Sequence, residues 1–70
     1  MVVRARLRKD LADFLKTRRA HQTYAEFSRR IGISSSTLQR IEMMQQNVSI
    51  DTLQHIVNRL RCKMSDIFRD

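Results

Sequence analysis

The sequence has no proline, no tryptophan and a single glycine, Gly32. Tight hairpin turns draw on glycine and proline, so an all-β architecture has little to build from. The same scarcity rules out a glycine-rich loop that would cradle nucleotide phosphates. Cys62 is the one cysteine, so no internal disulfide can form; this fits a reducing compartment and weighs against a secreted mini-scaffold. Cys62 is expected as a partly buried thiol. His21 and His55 are the only histidines, and with Cys62 and the carboxylates they give no metal-ligand spacing, so both are expected at the surface. Neither a metal nor another cofactor is expected, and without a plausible catalytic triad the chain is not expected to be an enzyme. No stretch approaches the length of a bilayer span, so no membrane association is expected. Residues 1–8 carry arginines where a signal peptide needs an apolar run, which points to a cytoplasmic location.

Acidic residues are also scarce. Seven Asp and Glu stand against fourteen Lys and Arg, giving a formal charge of +7 on 70 residues. A field of that strength favours a polyanionic partner, and composition alone does not separate nucleic acid from an anionic membrane surface. The length allows one domain, residues 1–70, with a modest core.

What the chain has in quantity is helical periodicity. Val3, Leu7, Leu11 and Leu15, with Phe14 beside them, form an apolar stripe over residues 3–19. Arginines at 4, 6 and 8 crowd the start of that helix, against its macrodipole. They serve either solubility or contact with a phosphate backbone, or else residues 1–5 form a mobile basic arm. Thr23 and Glu26 fit a capping box opening a helix over residues 24–31, with Gly32 at its end. Ser34 suits the N-cap of a third helix, residues 35–43, and Ser49 that of a fourth, residues 50–61, with Ile50, Leu53, Ile56, Val57 and Leu60 on one face. A last turn covers residues 64–68. The stripes of the first and fourth helices are expected in the core. Met43 and Met44 are expected to fill space beneath the following loop, with partner binding or contact with thymine methyls as alternatives. The fold class is all-α.

Residues 24–43 carry the functional signal. Apolar Phe27, Ile31, Ile33, Leu38 and Ile41 surround the bend glycine, and small Ser28 sits where two helices approach closely. This describes two short helices crossing steeply around a short turn, their apolar sides locked together. The free side of the second then holds Ser35, Ser36, Gln39, Arg40 and Met43. The arrangement resembles the helix-turn-helix of the lambda-repressor-like family (Cro and phage-repressor type, XRE-like). The likeness continues through Asn47-Val48-Ser49 and Ile50-Asp51-Thr52-Leu53 and covers roughly residues 5–68.

The resemblance implies a compact five-helix bundle whose third helix lies in the major groove, with dimers on near-palindromic sites. Carried over by position, Ser35, Ser36, Gln39 and Arg40 match base-contacting positions; Thr23, Tyr24, Gln45, Gln46 and Asn47 match phosphate-contacting ones. The sequence departs from the family pattern in places. Tyr24 and Ser35 stand where members often have Gln, Met43-Met44 where a polar residue and Gly are common, and Arg61 where a helix-ending Gly is usual. The connection before helix two is about two residues longer than usual, so no ion-pair partner for Glu42 can be assigned. A homodimer is expected to meet through Met64, Ile67 and Phe68, with Val2 and Val3 as competitors. The function implied is sequence-specific binding of double-stranded DNA by a small transcriptional regulator, a repressor above all. The alternative is a protein-interaction module on the same fold, such as an antitoxin with a protein partner and weak DNA reading.

Overall fold

A computed structural model of the chain describes residues 3–68, with side chains from residue 7 onward. The proposed arm residues Met1 and Val2, and the side chains of Val3, Arg4 and Arg6, lie outside the described residues. Five helices follow in order: α1 (Val3–Arg19), α2 (Tyr24–Ile31), α3 (Ser35–Glu42), α4 (Ile50–Leu60) and α5 (Met64–Ile67). Among the described residues there is no strand, and no helix is long and apolar enough to cross a membrane. α1 starts at Val3, so the backbone of residues 3–5 is helix rather than arm. The last three helices each stop one residue short of expectation, at the capping residues Met43, Arg61 and Phe68.

The core forms where the apolar stripes converge. Leu11 and Leu15 of α1, Phe27 and Ile31 of α2, Leu38 and Ile41 of α3, Ile56, Val57 and Leu60 of α4, and Ile67 of α5 make one buried cluster. α1 packs on α3 and α5, while α2 packs on α3 and α4. Two members of the expected stripes are not core. Leu7 is 42% exposed and Ile50 80% exposed. Leu7 lies in the second turn of α1 and Ile50 at the first position of α4, both near helix starts that the other described helices leave partly uncovered. Met43 and Met44 are exposed too; the expectation that they fill a gap fails because the loop turns sharply beside them.

An ion pair between α1 and α3 ties the bundle internally. Arg19, the last residue of α1, donates from Nε and Nη2 to the two carboxylate oxygens of Glu42, the last residue of α3, both at 3.0 Å. Its Nη1 donates to the Gln22 carbonyl at 3.2 Å, and its guanidinium lies 4.1 Å from the centroid of the Tyr24 ring. Glu42 is 1% exposed. The hydrogen bonds to Glu42 push the Arg19 pKa up, holding the guanidinium charged. This supplies the partner that the sequence left unassigned.

Helix ends show how a chain with one glycine makes its turns. After α2, Gly32 adopts φ 74°, with its own N–H and that of Ile33 donating to the Ser28 carbonyl. The ends of α3 and α4 use the same left-handed closure at Met44 (φ 59°) and Arg61 (φ 55°). Gln45 N–H reaches back to Arg40 O, and Cys62 N–H to Val57 O, the six-to-one bond of a Schellman motif. Ala20, after α1, is also left-handed at φ 51°. An L side chain in this region costs about 1–2 kcal/mol, so three of these four closures are strained. Only at Gly32 is the space also restricted: a Cβ there would stand 2.5 Å from His55 Nε2.

Two predictions follow from these contacts. Arg19→Ala leaves a buried carboxylate uncompensated and should lower unfolding stability by about 2–3 kcal/mol, while a joint Arg19→Met, Glu42→Leu change should recover much of the loss. Chemical denaturation of the three variants measures it. Met44→Gly and Arg61→Gly should each raise stability by about 1 kcal/mol, whereas Gly32→Ala should lower it by about 1–2 kcal/mol; thermal melts read the opposite signs.

Candidate nucleic-acid interface

The surface of interest is built by locking α2 and α3 together. Phe27 and Ile31 face Leu38 and Ile41 within the core. On the opposite side of α3, Ser36, Gln39 and Arg40 are exposed, and Met43 continues that surface past the helix end. Their spacing of three and four residues puts them on one stripe. Leu38, Ile41 and Glu42 are buried, so α3 cannot rotate to hide its polar stripe without unburying a carboxylate.

Ser35 behaves differently from its neighbours. It is half-buried, with Oγ 3.1 Å from Ser28 Oγ. Ser28 is buried and donates to the Ala25 carbonyl at 3.0 Å, which makes Ser35 the donor of the pair. Its hydroxyl therefore pins α3 to α2 and has only acceptor capacity left for a ligand. The small Ser28 permits this approach.

Both helix starts carry caps. Thr23 Oγ1 accepts from Glu26 N–H at 3.1 Å, and the Glu26 carboxylate accepts from Thr23 N–H at 2.9 Å. Ser34 Oγ accepts from Thr37 N–H at 3.1 Å and donates to Thr37 Oγ1 at 2.7 Å. Other first-turn N–H groups of an α-helix lack intrahelical acceptors, and helix N-termini favour anions. At α2 the Glu26 carboxylate already occupies part of that field; the Thr23 N–H bond holds its pKa below the usual glutamate value. Tyr24 is half-buried beneath Arg19, so the buried ion pair orients its ring. Of the loop candidates, Gln45 and Asn47 are exposed and Gln46 is half-buried.

Among the residues expected to join two subunits, Ile67 is only 5% exposed and belongs to its own core. Met64 and Phe68 are half-buried beside it. His21 and His55 are exposed, and Cys62 is half-buried with burial raising its pKa, so the thiol stays protonated.

Two residues escaped the sequence reading. Arg19 had a signal, since its charge ends the α1 stripe where Glu42 needs a partner. Arg59 had none: it donates from Nε to Arg30 O at 3.1 Å and from Nη2 to Arg29 O at 3.3 Å, and carbonyls leave no trace in side-chain patterns. It satisfies the C-terminal carbonyls of α2 beside the bend. Arg29 and Arg30 themselves are exposed.

In comparison with known protein families, the profile described as a Cro/C1-type HTH DNA-binding domain matches residues 10–70. Neither the comparison with curated proteins nor that with solved structures returned a match.

The cap at α2 sets a pH dependence. Because the folded Glu26 pKa is lowered, its contribution is present above the ordinary value of 4.5 and is lost as pH falls through the folded value. Stability of the parent should therefore drop more steeply in acid than that of Glu26→Gln, whose amide oxygen still accepts from Thr23. Melting curves taken downward from neutral pH check this; parallel curves would contradict it.

Proposed function

We propose that the chain, which belongs to the Cro/C1-type helix-turn-helix DNA-binding family, acts as a dimeric repressor that reads a near-palindromic operator with α3. DNA binding and transcription regulation come with the family; the repressor role, the operator symmetry and the residue roles are the proposal. The observation that carries it is the division of α3 into a buried side, Leu38, Ile41 and Glu42, and an exposed polar side, Ser36, Gln39 and Arg40. A reading helix needs such a division, because it must be held rigidly from behind while its front meets base edges.

Arg40 supplies the fork that pairs with guanine N7 and O6, and Gln39 the amide that pairs with adenine. Ser36 is exposed and short enough to serve a base or a phosphate, accepting as it stands or donating once its hydroxyl leaves Ser34 Oγ, 3.3 Å away. Ser35, with its proton committed to Ser28, contributes only by accepting. Thr23 and Tyr24 at the start of α2, and Gln45, Gln46 and Asn47 beyond α3, are assigned to the phosphate backbone, where they set register without reading sequence. The charge of +7 supplies non-specific affinity and steep salt dependence. In a dimer the two α3 helices would enter successive major grooves about 34 Å apart.

Selection from a random duplex pool followed by titration tests the assignment. Arg40→Ala should relax preference at one base pair per half-site, costing about 1–3 kcal/mol against the best site. Gln45→Ala should instead weaken all duplexes alike and leave the salt dependence unchanged, because a neutral amide releases no counterions. An unchanged ranking of sites in Arg40→Ala would remove Arg40 from the reading set.

A further inference from the structure

The two most prominent exposed aliphatic residues of the helices, Leu7 and Ile50, border the same feature. An open groove of about 430 Å³ runs between the Leu7–Leu11 stretch of α1, the start of α4 and the end of α5, lined by Leu7, Leu11, Ile50, Leu53 and Phe68 among others, with Arg8 its only charged lining residue among the described ones. Ile50, at the first position of α4, stands 80% exposed on its rim. Burying a side chain of that size is favourable, so an exposed aliphatic knob beside an apolar hollow is a surface suited to a partner.

We infer that this groove is where a second copy of the chain docks, each copy seating its Ile50 in the groove of the other. The inference rests on the dimeric reading above and names its interface. A two-fold contact needs a knob and a hole on one patch, since each subunit must present both. Ile50 and the groove supply that pair.

Charge selects the occupant. Two chains of +7 repel wherever basic surfaces meet. Arg8 is the one charged group among the described lining residues, and Asp51, exposed, follows Ile50 directly in sequence. Among the described residues neither has an ion-pair partner. Seating Ile50 in the facing groove brings Asp51 of each copy towards Arg8 of the other, giving two equivalent pairs. An acidic foreign helix would find Arg8 alone. Gln39 and Arg40 are not in the lining, whereas Gln46 and Asn47 of the loop after α3 are. A copy docked here leaves Gln39 and Arg40 uncovered but meets Gln46 and Asn47, so in the dimer the backbone contacts fall to Thr23, Tyr24 and Gln45, which are outside the lining.

Sedimentation equilibrium of the full chain without DNA tests the interface directly. The parent should dimerise reversibly, and Ile50→Glu should weaken dimerisation by at least about tenfold, with no loss of melting temperature at concentrations where the parent is monomeric, because Ile50 makes little contact within its subunit. Arg8→Asp or Asp51→Arg alone should weaken the dimer, and the two together in one chain should restore it. A parent that stays monomeric, a dimer indifferent to Ile50→Glu, or a double reversal that fails to restore association overturns the inference. Titration on a single half-site separates this from the DNA reading. Ile50→Glu should bind a half-site as the parent does and lose only the advantage of the full site. A parent that binds no half-site defeats the functional proposal, while sedimentation still decides the interface.

Discussion

The Arg19–Glu42 pair is the constraint around which the bundle is arranged. Glu42 ends α3 inside the protein, where an unpaired carboxylate is costly, and both of its oxygens are met by one guanidinium fork. The same guanidinium covers the Tyr24 ring at the start of α2 and holds the Gln22 carbonyl of the connecting segment. One side chain thus joins the end of α1, the start of α2 and the end of α3. A buried pair of this kind adds little net stability compared with apolar packing, but its geometry is narrow. Lysine could not reproduce it, because a point charge has no fork.

The rotation of α3 depends on that anchor. Leu38 and Ile41 alone would tolerate some rolling of a short helix in an apolar cleft. With Glu42 fixed from one end and Ser35 tied to Ser28 at the other, the stripe of Ser36, Gln39 and Arg40 has one orientation left. Base reading needs such rigidity, since hydrogen bonds to base edges lose most of their value within a fraction of an ångström. Stability elsewhere is given up more freely. Met44 and Arg61 occupy left-handed positions that glycine would fill without strain, both at turns beyond the helices they close.

The basic surface and the apolar groove divide the exterior between two tasks. Positive charge spread over α1, α2 and α3 suits a phosphate backbone, which rewards total charge more than placement. The groove between the Leu7–Leu11 stretch of α1 and the start of α4 is the complementary case: among the described residues, one arginine in its lining, an aspartate next to Ile50 in sequence and a prominent aliphatic knob. Contact there depends on shape first and charge second. Segregating the two would let copies of a strongly basic chain meet, in the proposed dimer, without bringing like charges together.

Helix identity, the bend and the caps were legible in order alone, because they depend on residues within one turn of each other. Thr23 with Glu26, Ser34, Ser49 and Gly32 each perform the local task their spacing implied, and the α2 and α3 apolar pairs meet as their periodicity required. Tertiary structure alone decided which apolar residues remain uncovered. Leu7 and Ile50 fit their stripes as well as Leu11 and Ile56 do, but no other helix reaches the ends where they lie. It decided also that Ile67 is core, that Ser35 faces Ser28, and that Glu42 meets Arg19 across 23 residues of chain. Periodicity reports which side of a helix is apolar; what lies opposite that side depends on how distant segments stack, and no local pattern records it.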